Sequence, residues 1–159
     1  YDMDEIMQNR NVRQMKKDVW VSICGLHFTD EEQDPTEMIT SGEYYFRNGK
    51  HYILYEEAVE GFQEKIKSRV KISGDSVEII RKGVNNVHMV FRPGLKHLAS
   101  YQTPYGPLLL GMQTRAVQID ESGDRLDVRL EYDLEAEGER LSACSLTMQV
   151  VSREEACDK

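Results

Sequence analysis

The chain of 159 residues is long enough for one domain built around one hydrophobic core. Its 40% hydrophobic and 30% charged residues are typical of a globular protein, and no apolar run approaches the ~20 residues of a membrane-spanning helix. A formal net charge of -8 disfavours phosphate-rich partners, because these are bound by basic surfaces. We therefore expect neither nucleic acid nor a membrane as a partner, and a protein partner cannot be named from composition.

The two ends of the chain have no strand-like alternation. Residues 1–15 are polar and are expected to form a flexible or short helical N-terminal extension, and residues 152–159 a polar C-terminal tail. Residues 16–151 between them form the single predicted domain. Within that domain, the acidic stretch at 29–37 is predicted to be a solvated loop.

The first predicted strand begins near Lys17. Val19, Val21 and Ile23 alternate with polar residues and with Trp20, so the three aliphatic side chains are expected inside and Trp20 outside.

A hairpin is predicted around Asn48-Gly49, which lies between two aromatic and β-branched runs and suits a type I′ turn. Pairing outward from that turn sets Phe46 opposite His51 and Tyr44 opposite Ile53. A second hairpin is predicted at Gly74, where glycine comes first as a type II′ turn requires.

The second half of the sequence continues the pattern. A turn at Pro93-Gly94 leaves the register of its hairpin open, and a long strand is predicted from Leu108 to about Asp120. The clearest alternation in the chain follows, with these residues expected to face inward on the last two strands: Leu126, Val128, Leu130, Tyr132, Leu134, Cys144, Leu146, Met148 and Val150.

The predicted fold is all-β, with about eight to ten antiparallel strands joined in order by short turns. Each strand has one apolar face, and curling the meander into a closed up-and-down barrel hides that face and removes exposed edges. A two-sheet sandwich is the alternative, but its Greek-key crossovers need longer connections than these turns provide.

Several stretches resemble a known family. The most specific are "IRKG" at 80–83 and "YQTPYG" at 101–106, and the likeness extends over roughly residues 15–151. It is a resemblance to the YwiB-like family of small bacterial proteins of unknown function. The resemblance implies a lipocalin-like, or calycin, β-barrel and implies no catalytic residues. The glycine that lipocalins commonly carry two positions before the first-strand tryptophan is missing before Trp20, which argues against a secreted carrier.

The sequence contains no pattern typical of a metal site or a redox-active cysteine pair. The three cysteines have no C-x-x-C spacing and the four histidines have no i,i+2 or i,i+4 partner of metal-ligand type: Cys24, Cys144, Cys157, His27, His51, His88 and His97. No secretion signal is recognised, so we expect reduced thiols in a cytoplasmic protein, no metal and no cofactor. Motifs for a nucleophile or a phosphate loop are also missing, and we expect no enzyme activity.

A small ligand inside the barrel is the functional hypothesis that the sequence favours. A barrel of about eight strands is either filled by side chains or holds one small ligand. An amphipathic or anionic molecule bound noncovalently would contact inward aromatic and aliphatic residues and an arginine at the mouth. The candidate ligand-binding residues are Tyr44, Phe46, Ile53, Tyr55, Arg81 and Tyr132.

Two alternatives stay open. The same tyrosines could simply belong to a packed core, with Arg81 turned outward at the rim. In that case the protein would be a non-enzymatic interaction module acting through its outer surface. A cavity of about 300 Å³ or more inside the barrel favours the ligand, and a filled barrel favours the surface.

A row of basic residues is predicted on one outer face, at Lys65, Lys67, Arg69, Lys71 and Lys82. A solvated strand face that discourages aggregation explains such a row better than nucleic-acid binding, because only Ile80 interrupts it where stacking aromatic residues are needed.

Overall fold

The computed structural model describes residues 15–25, 37–58, 63–83, 86–103 and 105–153. Most of the predicted N-terminal extension and C-terminal tail lies outside these ranges, as do nearly all of the acidic loop, His27 and Cys157. Among the described residues, no helix has the length and hydrophobicity needed to cross a membrane.

The fold is all-β, as predicted. Within the described ranges, ten strands follow one another: β1 Asp18–Cys24, β2 Glu37–Arg47, β3 Lys50–Ala58, β4 Lys65–Ser73, β5 Ser76–Lys82, β6 Val87–Phe91, β7 Lys96–Thr103, β8 Gly106–Ser122, β9 Arg125–Ala136 and β10 Glu139–Ser152.

The strands form one antiparallel sheet in the order β6-β5-β4-β3-β2-β1-β10-β9-β8-β7. Except for β6 and β7, each strand pairs with its neighbour in sequence, and β1 also pairs with β10, with Val21 opposite Val150. This is the up-and-down arrangement that was predicted, nearly closed into a barrel.

The incomplete seam of the barrel lies between β6 and β7. Among the described residues, one isolated bridge joins Asn86, just before β6, to Gln102 of β7, in place of a continuous ladder. At the other end of the seam the Pro93-Gly94 turn is held against β8, because the amide of Gly94 donates to the Thr114 carbonyl over 3.1 Å. The seam is therefore fixed at both ends.

The two predicted hairpin registers are confirmed. Phe46 pairs with His51 across β2 and β3, and Ile72 pairs with Val77 across β4 and β5. Gly49 has φ 75° and follows Asn48 at φ 54°, as a type I′ turn requires, and Gly74 has φ 61° at the first position of its turn.

The core follows from period-two alternation along each strand. Val19, Val21 and Ile23 are buried while Trp20 remains 47% exposed, as predicted for β1. Buried residues from all ten strands contribute to the core, most of them within one continuous hydrophobic cluster. The interior is thus lined from every side by aliphatic, methionine and aromatic side chains.

In the described strands, two register shifts disturb the simple alternation, and one of them lies between Arg140 and Ser142, where β10 pairs with β9. A bulge between Thr114 and Ala116 shifts the register of β8 against β9. At Gly42 the backbone of β2 lies so close to β3 that an added Cβ would be 2.6 Å from the Leu54 carbonyl oxygen. Beyond Gly42 the pairing of β2 with β3 ends, so the two strands separate there.

Candidate functional site

The six predicted ligand-binding residues all lie on the inward side of the barrel. Tyr44, Ile53, Tyr55 and Tyr132 are buried, whereas Phe46 and Arg81 are half-buried. The structure does not bring them together as one ligand wall. Instead, five of them divide among three groups with different neighbours, and Ile53 lies fully buried in the hydrophobic core cluster.

The first group is a chain of three hydrogen-bonded side chains, which we call the His51 cluster: Tyr44, His51 and Glu121. The Tyr44 hydroxyl lies 2.7 Å from Nδ1 of His51, and Nε2 of His51 lies 2.8 Å from a Glu121 carboxylate oxygen. Phe46 places its ring edge-on against the imidazole, with ring centres 5.0 Å apart. Strands β2, β3 and β8 thus meet through one imidazole.

Burial lowers the pKa of His51, and the Glu121 carboxylate opposes that effect. Because burial is the larger influence, the imidazole is neutral at pH 7. Nε2 then donates its hydrogen to Glu121, and Nδ1 accepts the hydrogen of the Tyr44 hydroxyl. With a neutral imidazole, both ring nitrogens of His51 therefore have a hydrogen-bond partner.

The second group, the Arg81 cluster, consists of Tyr55, Glu57, Ser68 and Arg81 on β3, β4 and β5. Ladder pairing sets Tyr55 beside Ser68 and Ser68 beside Arg81. A guanidinium nitrogen of Arg81 donates to a Glu57 carboxylate oxygen over 2.9 Å, and only 11% of the Arg81 side chain is exposed. Arg81 therefore turns inward and is paired, rather than lying outward at the rim.

Polar atoms of the Arg81 cluster remain unpartnered within the described chain: Nε of Arg81 and the Ser68 hydroxyl. Burial raises the pKa of Tyr55 to about 12, while the adjacent Ser68 hydroxyl and the Arg81 charge act in the opposite direction. Ser68 is close enough to influence Tyr55 but does not meet hydrogen-bond geometry. The cluster thus has spare capacity for one small polar guest, such as a buried water.

The third group is Tyr132 with Phe91, whose ring centres lie 4.9 Å apart in the centre of the core. The Tyr132 hydroxyl is buried without a hydrogen-bond partner in the described residues. Burial raises the pKa of Tyr132, and the Cys144 thiol beside it adds to the rise without forming a hydrogen bond of good geometry. Tyr132 therefore packs as a core aromatic residue.

Four cavities stand out in the structure, and each is lined mainly by outward-facing residues. They measure about 460, 520, 340 and 170 Å³. The largest of the four lies over β2–β4, where β2 leaves β3 beyond Gly42, and its lining includes Tyr55 and Ser68. None of the four is enclosed by the core cluster. The concave surfaces that could hold another molecule, among those described, are therefore outside the barrel.

No group of three or more histidine, cysteine, aspartate or glutamate side chains within the described ranges is arranged to hold a metal ion.

Comparison with known proteins identifies the family. A model described as "Domain of unknown function (DUF1934)" matches residues 21–148, most of the chain. The chain belongs to the DUF1934 family.

Two findings relate this DUF1934 chain to one bacterial protein. Over 119 residues it is 29% identical to the uncharacterised β-barrel protein YwiB of Bacillus subtilis (strain 168), covering 75% of this chain and 82% of YwiB. The crystal structure of YwiB from Bacillus subtilis matches with a TM-score of 0.69 at 24% identity, covering 93% of this chain and 99% of that chain. The predicted resemblance is confirmed, and the structural match shows that the barrel fold is shared.

Sequence reasoning overlooked two acidic residues that pair with inward side chains of this DUF1934 barrel, Glu57 and Glu121. Glu57 has the same parity as His51 and Tyr55 on β3, and continuing the alternation by one step would have found it. Glu121 gave no such signal, because the bulge near Ala116 reverses the parity of β8 after Thr114. His51 was placed on the inward face, but its partner Glu121 was not foreseeable.

Two of the buried tyrosines, Tyr44 and Tyr132, are expected to respond differently to loss of the hydroxyl. Tyr44→Phe leaves Nδ1 of His51 without its donor and is expected to cost about 1–3 kcal/mol in unfolding free energy. Tyr132→Phe removes a buried, unpartnered hydroxyl and is expected to be neutral or stabilising. Urea unfolding of both variants measures this. Equal losses in the two variants would contradict the hydrogen-bond assignment.

The lowered pKa of His51 predicts a pH dependence of stability. A folded-state pKa below the usual 6.5 means that the folded protein favours the neutral imidazole. The stability that comes from keeping His51 neutral is present above pH 6.5 and is lost as the pH falls through the lowered folded-state pKa. We expect His51→Gln to weaken the fall in unfolding free energy on acidification. NMR titration of the His51 ring protons provides the direct check, and a value of 6.5 or higher would contradict the account.

Proposed function

We propose that this protein is a non-enzymatic binding module that acts through the outer surface of its barrel. One observation supports the proposal above others: the inward faces pack against one another as a continuous core, whereas the four cavities that we describe open outward. A side chain in a packed core cannot contact a partner without local unfolding. Outward strand residues can do so without any rearrangement of the fold.

A small anion at the Arg81 cluster is the second candidate. It is favoured by the unpartnered Nε of Arg81 and hydroxyl of Ser68, and Ser68 lines the 520 Å³ cavity. Of the five N–H groups of the Arg81 guanidinium, one donates to Glu57, and the buried Nε–H has no acceptor in the described residues. This site suits a guest of a few atoms, and a larger amphipathic ligand would have to displace core side chains.

Catalysis is not part of the proposal. The His51 cluster resembles an acid–base relay in its hydrogen bonds, but a relay needs a substrate within hydrogen-bond reach. Tyr44 and His51 are buried inside the barrel, and neither of them lines any of the four cavities. Their hydrogen bonds are better explained as a polar link that joins three strands.

The cytoplasm is the proposed compartment. Cys24 and Cys144, the cysteines within the described ranges, are free thiols, which suits a reducing environment. Nucleic acid and membranes are not proposed as partners, because the net charge of -8 opposes both. The calycin relationship implied by the family resemblance stays a prediction.

Native mass spectrometry of protein purified from the bacterium that encodes it tests the proposal. We expect the mass of the bare polypeptide or of an assembly with another polypeptide, because the barrel interior is filled. A stoichiometric small-molecule adduct that disappears in Ser68→Ala would instead establish the interior candidate. Ser68→Ala is a mild probe, since its hydroxyl has no partner to lose. Lys82→Glu on the outer face serves as the matched control for that adduct.

A further inference from the structure

Strand pairing on β3, β4 and β5 arranges the outward side chains in rows. One row runs Leu54, Arg69, Ile80 across the three strands, and the adjacent row runs Glu56, Lys67, Lys82. The basic residues predicted from the sequence therefore lie side by side on one surface with two aliphatic residues between them. We call this surface the cationic groove, defined by Leu54, Lys67, Arg69, Ile80 and Lys82.

The charges of the cationic groove are not balanced by the protein itself. Lys67 lies directly opposite Lys82 in the ladder, and like charges in that position destabilise a sheet. Within the described residues, Lys67, Arg69 and Lys82 have no carboxylate at salt-bridge distance. The neighbouring Glu56 instead contacts Lys65, at 4.0 Å. An unfavourable cluster of cations in a protein of net charge -8 is thus maintained without an internal partner.

The groove also has an apolar floor. A cavity of about 170 Å³ is lined by Leu54 and Ile80 together with Lys67, Arg69 and Lys82. An apolar cavity of about 150 Å³ accommodates a molecule the size of benzene. The groove therefore has room for one large apolar side chain, with cationic groups on either side of it.

From this combination we propose that the cationic groove binds an acidic segment of a partner protein that inserts one apolar side chain between Leu54 and Ile80. Carboxylates flanking the inserted side chain supply the charge that Lys67, Arg69 and Lys82 lack. A nucleic acid fits less well, because the groove offers no aromatic stacking surface and the remaining surface repels a polyanion. This inference rests on the proposed function, since it names the partner of the outer surface.

Fluorescence anisotropy with short labelled peptides tests the inference. The probe is a peptide of aspartates and glutamates around one central leucine, compared with a peptide carrying glycine at the centre and with one of asparagines and glutamines around leucine. We expect binding to be strongest for the acidic leucine peptide and to weaken as salt is added. Equal binding of the acidic leucine and glycine peptides would overturn the inference, because it would mean counterion association without an apolar anchor.

Matched variants locate the binding. Lys82→Glu is expected to weaken binding of the acidic leucine peptide by about tenfold or more. It is also expected to raise the melting temperature by about 1–3 °C, because it pairs an opposite charge with Lys67. Arg129→Glu makes the same charge change on an outward residue of β9 and is expected to leave binding unchanged.

The outcomes separate this inference from the proposed function. Loss of binding in Arg129→Glu but not in Lys82→Glu would retain an outer binding surface and reject the cationic groove. Tighter binding of a single-stranded oligothymidylate than of the acidic leucine peptide, lost in Lys82→Glu, would reject a protein partner in favour of nucleic acid. Failure of every peptide to bind, together with a small-molecule adduct in native mass spectrometry, would reject both proposals.

Discussion

Each strand of this protein has one apolar face, and the need to hide that face from water determines the rest of the structure. A flat sheet of ten such strands would expose its whole core. Closure through β1 and β10 buries most of it, and the seam between β6 and β7 is completed by the Asn86–Gln102 bridge and by the Pro93-Gly94 turn held on Thr114. Filling of the interior follows, because side chains from all sides converge on it.

A filled interior limits where the barrel can recognise another molecule. Tyr44, His51 and Glu121 satisfy one another and link strands distant in sequence. The Ser68 hydroxyl, Nε of Arg81 and the Tyr132 hydroxyl, by contrast, stay unpartnered in the described residues. Under the proposed function, recognition is left to outward residues, where charge can be distributed without affecting the core. The opposed pair Lys67 and Lys82 illustrates this freedom, since sheet stability alone would not select two facing cations.

Much of the fold could be predicted because its determinants are local. The turn at Asn48-Gly49 and the alternation after Leu126 specify register and facing within a few residues. The interior polar pairs could not be predicted in the same way. Glu121 turns inward because of a bulge that no residue type near Thr114 predicts. The pairing of Arg81 with Glu57 joins strands that are two apart in the sheet. Likewise, sequence indicated the basic row but not the cavity between Leu54 and Ile80.

Xenon binding in pressurised crystals tests the central claim, that the barrel is filled, most directly. Xenon enters apolar cavities inside proteins and gives strong electron density there. The packed interior predicts no xenon site among the core side chains, although outer grooves can take up the gas. An ordered xenon atom surrounded by Ile53, Phe91 and Tyr132 would contradict the account, because it would reveal an internal cavity large enough to begin accommodating a ligand.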